Sequence, residues 1–432
     1  MTQDKEKCAA MPRTSAHLNT ALPGALHPVR AHERIAEIDM LRGVALFGIL
    51  LVNLLGFCDP GYPPFGRQFW PGRMDYVAEQ FVAFVAQGKF YTLFSFLFGV
   101  GLAGQMARAE AQGVRFIPLA LRRFGVLLLI GLAHALCVWD GDILRTYALL
   151  GGVSLVCRRR TPQTLMVWAT ICFILLLGLC AGAAGISRAR WTRPSARLAL
   201  SQEVVRDAAE AQQLAEEEKQ LYTRGTYLEM VRYRARDLLW DVLDLLDLHI
   251  FAMILLGVYA GRKGIFHNIA AHLAFIRTVR WWGLACGLAG NALFVATGGS
   301  SDPSLTSVTQ NLGAAGYIIG APALCFFYAA SLLLLVQHPV WRRRLRALAA
   351  VGRTALSNYL LQSLICTTLF YHYGLGLFGS VRPVLSLLLT PGIFLLQIPL
   401  SVWWLQHFQF GPLEWAWRSL TYGQRQPMRR VG

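Results

Sequence analysis

Apolar runs of bilayer length dominate this chain. A helix that crosses a membrane needs about 20 consecutive, mostly apolar residues. Ten candidate runs occur, at 38–58, 90–107, 119–139, 143–157, 163–186, 245–261, 281–299, 314–336, 355–375 and 384–405. Two are marginal: 143–157 is short and contains Arg145, and 245–261 follows Asp241, Asp244 and Asp247. Composition points the same way. Of 432 residues, 55% are hydrophobic and 15% are charged, against about 25% charged in a soluble domain. The expected fold is an all-α integral membrane protein with about ten transmembrane helices.

Charge sets the expected orientation. Cytoplasmic loops of membrane proteins keep Lys and Arg because these residues resist translocation. With the N-terminus inside, the cytoplasmic stretches hold 26 of the 41 Lys and Arg, and the short outward stretches hold five: Arg67, Arg73, Lys89, Arg145 and Arg382. The segment 187–243 holds the other ten, and long loops are largely exempt from the rule. Both termini are therefore expected in the cytoplasm. The same retention accounts for the net charge of +17, so no nucleic-acid partner is implied.

The chain divides accordingly. A polar leader, 1–34, carries Pro12, Pro23 and Pro28 and lacks the apolar core of a signal peptide. It is expected to be disordered. Five helices at 35–186 form one membrane bundle and five at 244–423 another, with a short tail at 424–432. Between the bundles, 187–243 reads as a periplasmic segment. Residues 198–222 suit a solvated helix, and 226–247 one lying along the outer surface. Residues 59–73, rich in Pro and Gly, suit an irregular outward loop. A homo-oligomer is left open.

Ionisable groups inside the bilayer are functional candidates by default, because burial there is costly. In the first helix Arg42 and Asn53 are eleven residues apart, and in the third so are Arg123 and His134. Eleven residues make almost three turns, so each pair shares a face, about 16 Å apart along the axis. Both helices run outward. The arginines, with Arg122 beside Arg123, can hold phosphates at the cytoplasmic face. His134 suits a general base or nucleophile, and Asn53 a donor to a developing oxyanion. The plainer reading is that the arginines anchor helix ends and that the histidine bonds a carbonyl.

The turn Trp139-Asp140-Gly141-Asp142-Ile143-Leu144-Arg145 follows. Asp142 can cap the next helix, with Arg145 as its partner three residues on. A histidine, two carboxylates and an arginine within twelve residues also suit an acid/base site. In the ninth helix, Asn358 and Gln362 share a face, as do Tyr359 and Ser363, which suits hydrogen bonding between helices. Nine cysteines show no CxxC spacing, so neither a disulfide framework nor a metal site is expected. No GxxxxGK[ST] supports an ATP-driven pump.

Several motifs carry a family likeness: Ile38-Asp39-Met40-Leu41-Arg42-Gly43, Leu93-Phe94-Ser95-Phe96-Leu97-Phe98-Gly99, Gly141-Asp142-Ile143-Leu144, Gly352-Arg353-Thr354-Ala355-Leu356-Ser357-Asn358-Tyr359 and Gly411-Pro412-Leu413-Glu414-Trp415-Ala416-Trp417-Arg418. From residue 34 to 423 the chain resembles the YeiB-type inner-membrane proteins, a family of unknown function with a C-terminal module likewise of unknown function. That family is distantly similar to the transmembrane acyltransferases, including the lysosomal heparan-glucosaminide acetyltransferase. The resemblance implies a bacterial inner-membrane location and Arg42-Gly43 with Asn53 as part of a site. It also implies acyl transfer from cytoplasmic acyl-CoA to an acceptor on the far side. His134 does not map onto the acetyltransferase histidine, which follows the first helix closely.

The expectation is thus a membrane acyltransferase acting on a glycan, lipid or small hydroxyl compound. His134 would be base or nucleophile, oriented by Asp140 or Asp142 and completed by Asn53 and Arg145. Acyl-CoA would be co-substrate at Arg42, Arg122 and Arg123. The alternatives are a transporter or exporter whose polar residues line a path, and a non-catalytic membrane partner protein.

Overall fold

The computed structural model describes residues 34–60, 70–240, 245–297 and 306–430. Almost all of the leader, most of the 59–73 loop and the aspartates Asp241 and Asp244 lie outside them. Sixteen α-helices occur among the described residues. The first eight are α1 (Ala36–Cys58), α2 (Arg73–Val85), α3 (Lys89–Ala111), α4 (Phe116–Cys137), α5 (Leu144–Ser154), α6 (Pro162–Trp191), α7 (Pro194–Arg224) and α8 (Tyr227–Trp240). The second eight are α9 (Leu245–Arg262), α10 (Leu273–Thr297), α11 (Thr306–Leu335), α12 (Pro339–Arg344), α13 (Arg346–Arg353), α14 (Ala355–Phe370), α15 (Pro383–His407) and α16 (Pro412–Tyr422). No strand occurs among these residues, only an isolated bridge between Phe408 and Arg429.

Six segments are long and apolar enough to cross a membrane: Ala36–Cys58, Arg73–Ala111, Phe116–Cys137, Pro162–Trp191, Val308–Leu335 and Pro383–His407. Leu248–Arg262 and Ala355–Phe370 are apolar but shorter. The helix expected at 143–157 contains only eleven α-helical residues before a 3₁₀ turn at Leu155–Arg159. The expected 355–375 ends at Phe370. On α6 and α15, Ile174 is 63% exposed and Leu396 is 74% exposed. Apolar side chains turned outward in this way suit a hydrocarbon environment better than water.

Local sequence explains where helices begin. Thr161 accepts a hydrogen bond from the Thr164 N–H at 3.2 Å, and Pro162 occupies the first position of α6. Both are favoured there, because the first turn has unpaired donors and proline lacks one. Within 187–240, α6 runs on to Trp191, and α7 and α8 follow, with Tyr222 of α7 reaching into the first core cluster.

The helices before residue 187 and after 244 share cores. One cluster joins Leu46, Leu50 and Leu54 of α1 to Val351, Tyr359 and Phe394. Another joins Leu93 and Leu97 of α3 to Met253 and Cys325. A third packs Phe124 and Leu165 against Ala252 and Leu255. Small residues permit the closest approaches. A Cβ added at Gly43 would overlap the Leu348 carbonyl oxygen, and one at Gly352 the Asp39 carbonyl oxygen. The Arg42-Gly43 and Gly352-Arg353 motifs therefore meet, and α1 lies directly against α13.

Candidate functional site

The site is built where α4 turns back into α5. His134 lies in the last turn of α4 and Asp142 just before α5. Gly131 sits one turn earlier on the His134 face. A Cβ there would come within 2.6 Å of the Arg145 nitrogen and 2.8 Å of Asp142 Oδ2. The glycine opens the space that lets the turn fold against α4. Asp142 Oδ1 then lies 2.8 Å from His134 Nδ1, with the two side chains 0% and 1% exposed. Asp142 Oδ2 accepts from the Arg145 N–H at 2.9 Å. One carboxylate thus both caps α5 and orients the imidazole. A carboxylate at Nδ1 calls for Nδ1–H, which leaves the Nε2 lone pair free. His134 Nε2 is buried with no hydrogen-bond partner.

A cavity of about 270 Å³ lies beside this pair, which does not line it, and reaches the start of α1. Arg42, Leu46 and Ile49 line it from α1, and Arg123 and Leu127 from α4. Ile143, Leu144, Tyr147 and Tyr359 line it next to the His134–Asp142 pair. The Tyr359 and His134 ring centroids are 5.4 Å apart. The other end is arginine-rich, with Arg34, Arg108, Arg353 and Arg418 joining Arg42 and Arg123. Asp39 answers part of this charge, 3.1 Å from Arg42 and 3.8 Å from Arg34. Burial lowers the pKa of Arg34 and, to about 10, that of Arg418.

The C-terminal motif holds this end together. Glu414 accepts from the Leu356 N–H at 2.6 Å, the Ser357 N–H at 3.2 Å and the Ser357 hydroxyl at 2.5 Å. It supplies the N-terminal cap that Thr354 does not. Burial raises its pKa, against hydrogen bonds that favour its charged form. Trp417 donates to the Arg123 carbonyl oxygen at 2.9 Å, and the Arg123 guanidinium lies 4.0 Å over the Trp417 ring.

The structure brings His134 and Asp142 together, with the Arg145 main chain, and gathers Arg42 and Arg123 on one cavity. Asn53 continues the α1 face of Arg42, Leu46 and Ile49 and is half-buried. It forms no hydrogen bond to His134 or Asp142 among the described residues. Asp140 belongs to another cluster, where its charge acts on Tyr222, Arg234 and Tyr371. Arg234 there stacks on both rings at 5.6 and 5.5 Å. Arg122 is exposed and does not line the cavity. Tyr359, Arg353, Glu414, Trp417 and Arg418 are site residues to which sequence reading gave no such role. All five sit in two of the motifs that carry the family likeness, Gly352–Tyr359 and Gly411–Arg418. A second buried histidine, His249, meets Tyr91 at 3.2 Å. No cluster of three or more His, Cys, Asp or Glu suited to a metal occurs among the described residues.

Apolar helices around an arginine-mouthed cavity define a helical bundle protein of membrane type. Its C-terminal part, residues 260–424, matches the model of a family described as protein of unknown function (DUF418). The chain is 35% identical over 418 residues to the uncharacterized protein YxaH of Bacillus subtilis (strain 168), covering 94% of this chain and 98% of that one. It is 32% identical over 409 residues to the uncharacterized protein YeiB of Escherichia coli (strain K12), covering 90% of this chain and 96% of that one. An uncharacterized 39.9 kDa protein of Bacillus acidopullulyticus is 29% identical over 409 residues, 93% of this chain and 98% of that protein. The chain belongs to this family, the YeiB-type DUF418 proteins.

Proposed function

We propose that the protein is a membrane acyltransferase that takes an acyl group from cytoplasmic acyl-CoA and gives it to a glycan, lipid or small hydroxyl acceptor across the bilayer. The observation that carries the reading is the single cavity with guanidinium groups at one end and a buried His–Asp pair beside the other. In this reading ten helices span: α1, α3, α4, α5, α6, α9, α10, α11, α14 and α15. The shortest are α14, about 24 Å, and α5, which with its 3₁₀ turn reaches about 26 Å, against a hydrocarbon core of about 30 Å. Charge bias puts the arginine end in the cytoplasm.

The chemistry follows from the free Nε2. His134 takes the proton of the acceptor hydroxyl as its oxygen attacks the thioester carbonyl. The C–S bond breaks, and the departing thiolate takes that proton back from the imidazolium. Asp142 holds the ring and stabilises its charge between these steps. Arg42 and Arg123 bind the phosphates, and the thioester arm lies along Leu46, Ile49 and Leu127. Asn53, beyond Ile49 on the same face, polarises the acyl carbonyl.

The test separates binding from transfer. In detergent-solubilised protein, Arg42→Gln with Arg123→Gln should weaken acyl-CoA binding by about tenfold or more. His134→Ala should bind acyl-CoA normally and fail to transfer the acyl group. Reporter fusions after residues 157 and 346 should read cytoplasmic, and near 215 periplasmic. Unchanged acyl-CoA affinity in the folded double variant overturns the proposal. No measurable affinity in the unaltered protein favours a transporter instead.

A further inference from the structure

A second cavity, about 610 Å³, opens beside the first, between α1, α13, α15 and the C-terminal segment. Four arginines line it, Arg34, Arg346, Arg353 and Arg430, against the single carboxylate Asp39. Asp39 is already engaged by Arg34 and Arg42. Arg346 and Arg353 are seven residues apart on α13, two turns, and so share a face. Arg430 is brought in by main-chain pairing. The Gln409 N–H donates to the Met428 carbonyl oxygen at 2.9 Å, and the Arg430 N–H to that of His407 at 3.2 Å. Arg353 Nε is buried without a hydrogen-bond partner. Arg346 and Arg430 are exposed at the rim. Apart from Gln406, the rest of the wall is apolar or small, with Met40, Val402 and Leu405 prominent.

We propose that this cavity binds the phosphate of an anionic phospholipid headgroup. Guanidinium groups pair best with phosphate oxygens, two N–H donors to two acceptors. A basic pocket between membrane helices at the cytoplasmic face, with an apolar flank, matches an amphiphile whose head is a phosphate diester and whose tail is hydrocarbon. Inorganic phosphate would leave Met40, Val402 and Leu405 unused. Both cavities are lined by Arg34, Asp39 and Arg353. Arg42 and Arg123 line only the first cavity, and Arg346 and Arg430 only the second, so the two sites can be altered separately.

The test uses the full chain in a neutral detergent, with native mass spectrometry and added phosphatidylglycerol, cardiolipin, phosphatidylcholine or inorganic phosphate. The unaltered protein should retain the two anionic lipids and lose phosphatidylcholine. Arg346→Gln with Arg430→Gln alters only exposed rim residues, and an unchanged melting profile would show that the fold survives. Retention of anionic lipid should fall about tenfold for each arginine removed. Acyl-CoA affinity should stay the same in this variant, because Arg42 and Arg123 are intact, so failure of the acyl-transfer reading would show separately. Equal retention in variant and parent, or equal retention of phosphatidylcholine, overturns the proposal. So does displacement of the lipid by inorganic phosphate at matched concentration, which would make the ligand free phosphate. Joint loss of lipid and acyl-CoA binding would assign the cavity to the nucleotide and likewise overturn it.

Discussion

Removing Glu414 should loosen a helix that begins 59 residues earlier in the chain. The first turn of α14 needs acceptors for its N–H groups, and Thr354 makes no side-chain cap bond. Glu414 fills that role for Leu356 and Ser357 and also receives the Ser357 hydroxyl. Glu414→Ala strands the buried Leu356 N–H and the part-buried Ser357 N–H, at about 1–3 kcal/mol each. Relief from burying a carboxylate offsets part of this, leaving a net loss of about 2–4 kcal/mol. In a chain of this size that lowers the melting temperature by about 2–4 °C. Glu414→Gln keeps one oxygen for both N–H groups, and the Ser357 hydroxyl can turn to accept from the new amide, so its loss should be about 1 kcal/mol. Tryptophan fluorescence during heating in detergent would read both variants. Glu414→Ala melting with the parent, or Gln costing as much as Ala, would refute the capping argument.

Other outcomes can be checked in the same material. Asp142→Asn keeps the shape of the pair but removes its charge and the preference for Nδ1–H, so acyl transfer should fall about 10²–10⁴-fold with acyl-CoA affinity held. A transfer rate within twofold of the parent would contradict the assigned roles. Gly352→Val places a side chain against the Asp39 carbonyl and should cost about 1–3 kcal/mol or more, visible as a lower melting temperature. Asp59 is buried, accepts from Trp70 at 3.0 Å, and has its pKa pushed up to about 7 by burial. Its stabilising contribution is complete below the unfolded carboxyl pKa of about 4 and is lost as pH rises through about 7. That loss is about 4 kcal/mol at most. Asp59→Asn should flatten this part of the melting profile, and parallel profiles for variant and parent would count against it.

Apolar run length was enough to find most long helices, because a membrane helix announces itself over a window of about 20 residues. It did not announce α2. Arg73–Val85 is thirteen residues long with Asp75 and Glu79 buried, and neither length nor polarity matches that template. Face arithmetic put Arg42 with Asn53 and Arg123 with His134, because it needs only the helical period; that Leu46, Ile49 and Leu127 line the cavity with the two arginines came from the structure. It could not choose between Asp140 and Asp142. Only Gly141 separates them, and the space opened by Gly131 decides which carboxylate meets His134. The roles of Glu414 and Trp417 were beyond reach for another reason. Their partners, Ser357 and Arg123, are 57 and 294 residues away in the chain, and no local pattern encodes such a pairing.

The arginine end of the cavity carries the functional argument further than the histidine end does. Retention of positive charge in the cytoplasm would be met by arginines in water, where each keeps its hydration. Here six guanidinium groups converge on one cavity with two carboxylates, Asp39 and Glu414. Glu414 is occupied in capping α14. Arg418, Arg42 and Arg108 lie close enough to Arg123 to repel it, and Arg108 Nε and Arg353 Nε are buried without partners. Burying unpaired charge is costly, so such a cluster persists only if something offsets it. The acyl-CoA phosphates of the proposed reading would do so and leave the cluster open for exchange, whereas a structural role would be served more cheaply by one more carboxylate. The same reasoning sets the polarity of the site. In the proposed reading the anionic part of acyl-CoA sits at Arg42 and Arg123, and its uncharged remainder follows Leu46, Ile49 and Leu127 toward Tyr359, where His134 and Asp142 lie behind the wall.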